Sequence, residues 1–209
     1  MTTFLLIRHA HCDPVGRAIA GRSAGVHLSR KGQAEAETLG ERLSGLAISA
    51  IYSSPLERAL ETAAPIAERQ RLRVRTAPGL LEIDFGEWTG RSLAELDSLA
   101  EWKAFNRSRN STRIPGGEST AEVLARSVGE LDRLGKIHPE GDLVALVSHG
   151  DVLRLLITHF MGAPADLLHR IEISPGSVSI LALEAAGPRL LLLNSQADWP
   201  VETGLKPAH

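Results

Sequence analysis

The chain is expected to fold as an α/β protein, a three-layer α/β/α sandwich with a mostly parallel central sheet and an antiparallel C-terminal hairpin. Three observations lead there. Leu5-Leu6-Ile7 and Leu143-Val144-Ala145-Leu146-Val147 are continuous apolar runs, the pattern of strands buried on both faces. Between them, stretches of helical spacing alternate with short apolar runs, as the crossovers of a parallel sheet require. Val178-Ser179-Ile180-Leu181-Ala182-Leu183 and Leu190-Leu191-Leu192-Leu193 flank Ala186-Gly187-Pro188, which reads as a hairpin.

Bulk properties narrow the class. The 209 residues suit one large domain with a substantial core; residues 1–197 are assigned to it and 198–209 to a tail. A net charge of −2 gives no basis for general affinity toward nucleic acid or anionic membrane. Cys12 is the single cysteine, which excludes an intramolecular disulfide and a cysteine-based zinc cluster. The amino terminus lacks a basic segment followed by a long apolar one, and no run approaches membrane-spanning length. The expected location is the cytoplasm.

Taken in order, the first apolar run ends in Arg8-His9. Both side chains are costly to bury without a partner, and ligands of open α/β sheets bind beyond the carboxyl ends of the strands. Residues 11–26, rich in Gly, Pro and Arg, form a loop. Ser29 caps a helix that buries Ala34, Ala36, Leu39 and Leu43 and stops at Gly45. Residues 47–52 form a strand. Ser54-Pro55-Leu56-Glu57 carries the marks of a helix start, with Ser54 as cap and Pro55 at the first position. Arg58 then lies in or near the first turn, leaning back toward the ligand edge of the sheet; the plainer alternative is a solvated arginine beside Glu61.

Residues 72–75 form a short strand, and 80–90 a loop holding Glu82, Asp84 and Glu87. A helix is expected from Leu93 to about Phe105. Residues 107–117 form a loop carrying Arg107, Arg109 and Arg113, and the capping box Ser119…Glu122 opens a helix to about Leu134. The second long strand ends at Ser148-His149-Gly150, after which Asp151-Val152-Leu153-Arg154-Leu155-Leu156 turns to helical spacing. A short helical piece covers residues 165–169. Two central strands ending in histidine point to two imidazoles facing one pocket.

Four blocks carry a resemblance that spans nearly the whole chain. Arg8-His9-Ala10 and Ser148-His149-Gly150 resemble the two histidine signatures of the histidine phosphatase (phosphoglycerate-mutase-like) superfamily. Ser53-Ser54-Pro55-Leu56-Glu57-Arg58-Ala59-Leu60-Glu61-Thr62-Ala63 is similar to the block whose arginine contacts phosphate. Leu81-Glu82-Ile83-Asp84-Phe85-Gly86-Glu87-Trp88-Thr89-Gly90 is similar to the block whose glutamate donates a proton, and the blocks occur in the family's order. The wording of the last block resembles the phosphatase branch, including α-ribazole phosphatase and broad-specificity enzymes.

The resemblance implies hydrolysis of a small-molecule phosphate monoester through a phosphohistidine on His9, with no metal and no cofactor. Arg8 and Arg58 would hold the phosphoryl group with forked hydrogen bonds, and a neutral His9 nitrogen would attack phosphorus in line. A protonated His149, with the amide of Gly150, would stabilise the equatorial oxygens. Glu82 would protonate the departing alcohol and then activate water; spacing alone does not choose it over Asp84 or Glu87. Gly21-Arg22 resembles a glycine-containing loop near the substrate, and residues 107–118 complete the expected specificity region.

The chain departs from the family pattern at three places. Ala10 replaces a usual glycine, Cys12 stands where Ser or Thr is common, and Val15 where many members carry a phosphate-contacting asparagine, a contact that Arg17 or Arg22 would have to supply. Three other readings compete. One is a phosphoglycerate mutase, of a kind usually longer than this chain. Another is a metal-dependent hydrolase using His9-Ala10-His11 and His149-Gly150-Asp151. The third is an inactive phosphoester-binding member of the fold. Substrate identity and oligomeric state have no legible signature.

Overall fold

Strand residues alternate between two cores, and that alternation builds the layers. The computed structural model describes residues 2–138 and 140–196. Its elements, in order, are β1 (Thr2–Arg8), α1 (Arg30–Leu43), β2 (Ile48–Ser53), α2 (Glu57–Gln70), β3 (Val74–Thr76), α3 (Leu93–Leu96), α4 (Ala100–Arg107), α5 (Thr120–Ile137), β4 (Leu143–Ser148), α6 (Gly150–Phe160), β5 (Val178–Glu184) and β6 (Gly187–Ser195). Short 3₁₀ turns cover Pro78–Leu80, Gly86–Trp88 and Ala165–Arg170. The sheet order is β3-β2-β4-β1-β5-β6. β3, β2, β4 and β1 run parallel, and β5 and β6 close one edge as the expected antiparallel hairpin.

Leu5, Ile7, Ile51, Ala145 and Val147 face one way, onto Leu39 and Leu43 of α1 and Ala59, Ala63 and Ile66 of α2. Their neighbours Phe4, Leu6, Tyr52, Val144 and Leu146 face the other way, onto Val123, Leu131 and Leu134 of α5 and Val152 and Leu156 of α6. A strand with apolar side chains on both faces needs helices on both, so the three-layer arrangement follows from the two long apolar runs. The expected tail at residues 198–209 lies outside the described residues.

Three local expectations need correction. Ser54 does not cap α2. Its amide is still bonded to the Val147 carbonyl at 2.9 Å, so the chain is leaving β2 at that point and the helix opens only at Glu57, with Leu56 as an N-cap that has no side-chain bond. The helix expected over 93–105 is two helices, because Leu99 takes extended backbone (ψ 132°) and the Asp97 carboxylate accepts from the Trp102 indole at 3.2 Å instead of supporting a further turn. α5 runs to Ile137, beyond the expected Leu134. The capping box of Ser119 with Glu122 is present as expected, as is the Ser29 cap of α1.

Candidate active site

The site begins with strand register. β1 pairs with β4 so that Arg8 lies opposite Ser148, and the next residue of each strand is a histidine. The His9 and His149 rings consequently face each other with centroids 5.2 Å apart. β2 runs along the other side of β4, and its last residues bring Ser54 to His149, Oγ to Nε2 2.8 Å. The serine that does not cap α2 therefore orients an imidazole.

Hydrogen bonds fix both tautomers. His9 Nδ1 lies 2.8 Å from the carbonyl of Ala10, to which it must donate. That leaves Nε2 as the acceptor of the Arg58 Nε–H at 3.3 Å. His149 Nδ1 accepts from Arg58 Nη2 at 3.3 Å, because a guanidinium can only donate. Its Nε2–H then donates to Ser54. Both rings are thus neutral. Burial first, and then the Arg58 charge, lowers His9 to about 3. Burial, His9 and Arg58 hold His149 well below the usual imidazole value. A fully buried ring beside a guanidinium cannot carry its own charge cheaply, so the protonated His149 that the resemblance implies requires the negative charge of a phosphoryl group beside it.

Arg58 is the buried centre of this cluster, only 1% exposed, so the solvated alternative is wrong. The first turn of α2 carries it under the sheet edge, where Nη2 also donates to the Gly21 carbonyl at 2.8 Å. Gly21 has φ +50°, and a Cβ there would meet Thr89 Oγ1 at 2.9 Å, so glycine at 21 keeps that carbonyl in place. Arg8 is anchored by Nη1 on the Ile173 carbonyl at 2.6 Å. It lies over the start of α6, where a Cβ on Gly150 would stand 3.2 Å from its Cζ. α6 opens on His149 without a side-chain cap, leaving its first-turn amides for an anion. Arg8 Nε and Arg58 Nη1 are buried donors that bond to nothing in the protein. Two unpaired guanidinium N–H groups are costly there, and they define where an anion belongs.

These groups open into a cavity of about 160 Å³ lined by Arg8, His9, Arg58, Glu82 and Gly150 among others. Glu82 Oε2 is 4.0 Å from His149 Nδ1. Burial first, and the neighbouring Asp151 carboxylate second, raise Glu82 to about 7. The rival carboxylates differ: Asp84 accepts from the Gly86 amide, and neither it nor Glu87 reaches the cavity. Cys12 lines the cavity, but burial pushes its thiol up, so it stays protonated. The Ala10 Cβ packs on Leu28 and Ala36.

Other anticipated residues sit elsewhere. Gly21 lines the cavity; Arg22 does not. The Arg22 guanidinium binds the Glu82 carbonyl at 2.9 Å and Glu118 at 2.9 Å, bracing the loop that carries the acid. Arg126 of α5 does the same from below, donating to the carbonyls of Leu81 and Glu82. Val15 lines the cavity and Arg17 does not. Arg109 is buried, its charge met by Asp151 at 3.1 Å; Arg113 is exposed and paired with Glu122.

Sequence reading passed over Arg154 and named Asp151 only as a metal ligand of the rival hydrolase; both line the cavity. Arg154 donates to Asp151 at 3.1 Å and to the Ile171 carbonyl at 2.9 Å. One arginine inside the apolar helical run Val152-Leu153-Arg154-Leu155-Leu156-Ile157 was the available signal. Among the described residues no group of three or more His, Cys, Asp or Glu side chains is placed to hold a metal ion. His11 is turned onto Ser29 at 2.8 Å, and the Asp151 carboxylate is taken by two arginines.

Fold and site together define an α/β protein that presents buried guanidinium donors and two neutral imidazoles at the carboxyl ends of its central strands. The sequence profile of the histidine phosphatase superfamily (branch 1) matches residues 4–196, and the chain belongs to that superfamily. It is 30% identical over 198 residues to phosphoserine phosphatase 1 of Hydrogenobacter thermophilus, covering 93% of this chain and 92% of that protein. It is 32% identical to a probable phosphoglycerate mutase of Erwinia tasmaniensis, covering 100% of this chain and 95% of the other. Length therefore does not separate mutase from phosphatase. A mycobacterial glucosyl-3-phosphoglycerate phosphatase superposes with a TM-score of 0.84 at 27% identity, over 92% of this chain and 98% of its own. The α-ribazole phosphatase of Shigella flexneri superposes with a TM-score of 0.83 at 27% identity, over 95% and 98%. Among the described residues no helix is long and apolar enough to cross a membrane.

Proposed function

We propose that the protein is a metal-independent phosphomonoesterase that forms a phosphohistidine on His9 Nε2. The observation that carries this reading is the pairing of a neutral, tautomer-fixed His9 with two buried, unpaired guanidinium donors. A phosphoryl group seated on Arg8 Nε and Arg58 Nη1 lies next to the lone pair of His9 Nε2, since Arg58 touches both. The bond from Nε2 to phosphorus forms as the ester P–O bond breaks, and protonated Glu82 delivers its proton to the departing alcohol. The dianion's charge offsets the burial and the Arg58 charge that hold His149 neutral. A proton taken from solvent onto its Nδ1, as Arg58 Nη2 turns to the phosphoryl group, makes that ring a donor to an equatorial oxygen. Glu82, now ionised, takes a proton from the water that attacks phosphorus and frees His9.

A mutase shares every step up to the phosphohistidine and differs in whether water or the bound alcohol receives the phosphoryl group. Rapid quenching with isotopically labelled nitrophenyl phosphate tests the reading. Acid-labile, base-stable label on the peptide holding His9, lost with release of inorganic phosphate, is expected. Label on another residue, or none during turnover, overturns it.

A further inference from the structure

Beyond the phosphoryl seat the cavity wall is Val15, Ile19, Phe85 and Leu93. Ile19 and Leu93 pack from behind against the larger core. The wall is laced together through its backbone. Ile19 donates to the Arg91 carbonyl at 3.0 Å, Gly90 to Ile19 at 2.7 Å, and Leu93 to Arg17 at 2.9 Å, and Ala18 bridges Ser92 in antiparallel fashion. The amides of Val15 and Ala18 are spent on Cys12 and Pro14. The wall is thus preformed, and the amides of Val15, Ala18, Ile19 and Leu93 are all occupied.

The cations on this side have carboxylate partners as well, Asp151 being shared by Arg109 and Arg154. Arg154, the cation at the mouth, is held by Asp151 and the Ile171 carbonyl and has Glu172 at 3.7 Å. The loop expected to read a second anionic group does not reach the cavity, its Arg109 being paired to Asp151 and its Arg113 to Glu122. A carboxylate pressed against the side chains of Val15, Ile19, Phe85 and Leu93 would lose its water and gain no donor from them. An aliphatic or aromatic body would gain by every methylene it buries.

We infer that the organic half of the substrate is an uncharged, largely apolar alcohol or phenol, read by Val15, Ile19, Phe85 and Leu93, and not a phosphorylated sugar acid or amino acid. The inference rests on the phosphomonoesterase reading above. It sets the specificity of the site through a wall fixed before substrate arrives.

Primary alkyl phosphates test it, because methanol and hexanol are similar leaving groups and only contact area changes. Each fully buried methylene is worth about fourfold, so kcat/KM for hexyl phosphate is expected at least about tenfold above methyl phosphate. The 5-carboxypentyl ester, O-phosphoserine and 3-phosphoglycerate are expected at least about tenfold below hexyl phosphate. Ile19→Thr, which keeps the branched shape and adds a hydroxyl, is expected to lower the hexyl-to-methyl ratio severalfold through KM. A flat alkyl series, an unchanged ratio in that variant, or carboxylated esters matching hexyl phosphate overturns the inference. Failure of the underlying reading looks different: no ester, methyl and nitrophenyl included, releases phosphate.

Discussion

The floor of the cavity takes its side chains from three adjacent strand ends, whereas its wall takes them from loops that meet far apart in sequence. His9, His149 and Ser54 follow β1, β4 and β2 directly, and Arg58 follows within the next turn. The wall joins residues 14–21 to residues 85–93, and behind it Arg109 reaches Asp151 across 42 positions. The floor keeps two buried guanidinium donors unpaired inside the cavity, at a cost in stability. At the wall Arg109 leaves its Nε unpaired outside the cavity, but its charge is met by Asp151, and Val15, Ala18, Ile19 and Leu93 have bonded amides. Chemistry and stability are therefore lodged in different parts of one pocket, and substitutions should separate them.

The largest effect is expected at the floor. His9→Ala should lower turnover by about 10⁴-fold or more, as loss of a nucleophile does, while the fold survives. His9 ends a strand, and Arg58 of α2, though its Nε loses an acceptor, keeps its bonds to Gly21 and His149. Near-parental phosphate release from nitrophenyl phosphate would break the proposed division. A floor variant that loses its fold along with its activity would break it too.

Glu82 stands between floor and wall, and its effect should depend on the leaving group. Glu82→Gln cannot donate an acidic proton, so transfer from an alkyl phosphate to His9 should slow about 10²–10⁴-fold. Nitrophenolate leaves without help, so its first step should suffer far less, giving a burst of nitrophenol before slow turnover. The pH profile supplies a second readout. Alkyl transfer needs Glu82 protonated and His9 neutral, and these groups lie at about 7 and about 3. For ester already bound as the dianion, the transfer rate is expected to stay level between those values and to fall tenfold per unit above the upper one. In the Gln variant that upper limb should vanish from the transfer step. Equal slowing of the burst step for both ester types would remove Glu82 from the donor role.

How much of this was legible follows the same division. Arg8, His9 and His149 were readable because two apolar runs both end in histidine and match the family's blocks; one such ending alone could as well be a strand running out into solvent. Arg58 was placed by the resemblance of its block, since the lean of helical side chains alone left a solvated arginine beside Glu61 open, and its burial was not readable. Ser54 was misread, since a serine before proline looks the same whether it caps a helix or hydrogen-bonds a distant histidine; only the β2–β4 register decides. Arg109 was placed near substrate because it is a cation in the expected specificity loop, and Arg22 by the resemblance of Gly21-Arg22 to a family loop. Each is instead captured by a carboxylate far away in sequence, Asp151 and Glu118, and no local pattern announces such pairs.

At the wall the order of effects should reverse. Arg109 is 2% exposed, lies 4.0 Å above the Phe105 ring, and donates to Asp151, Asn106 and His169. Arg109→Met keeps most of the packing on Phe105 and removes the charge, leaving Asp151 with Arg154 alone. Removing one member of a buried pair costs about 3 kcal/mol, which denaturant unfolding should register. Methyl phosphate turnover should change less than tenfold. Unaltered stability would show that the wall does not depend on this pair.

The smallest effect is expected at Arg113, and it is informative because its position in the sequence makes it look like Arg109. Both are loop arginines four residues apart, and both were expected near substrate. Arg113 is 62% exposed and faces Glu122, itself 50% exposed. Two long side chains in water gain little by meeting, since solvent and salt screen the attraction and holding one geometry costs entropy. Glu122 is moreover already held by the amide and hydroxyl of Ser119 in the α5 capping box, so the helix start survives without the arginine. Arg113→Ala should therefore move the thermal midpoint by no more than about 2 °C and leave kcat/KM for methyl, hexyl and 5-carboxypentyl phosphates unchanged. A selective loss for the carboxylated ester would mean that this loop closes over the substrate after all, and the wall would then have to be redrawn to include it.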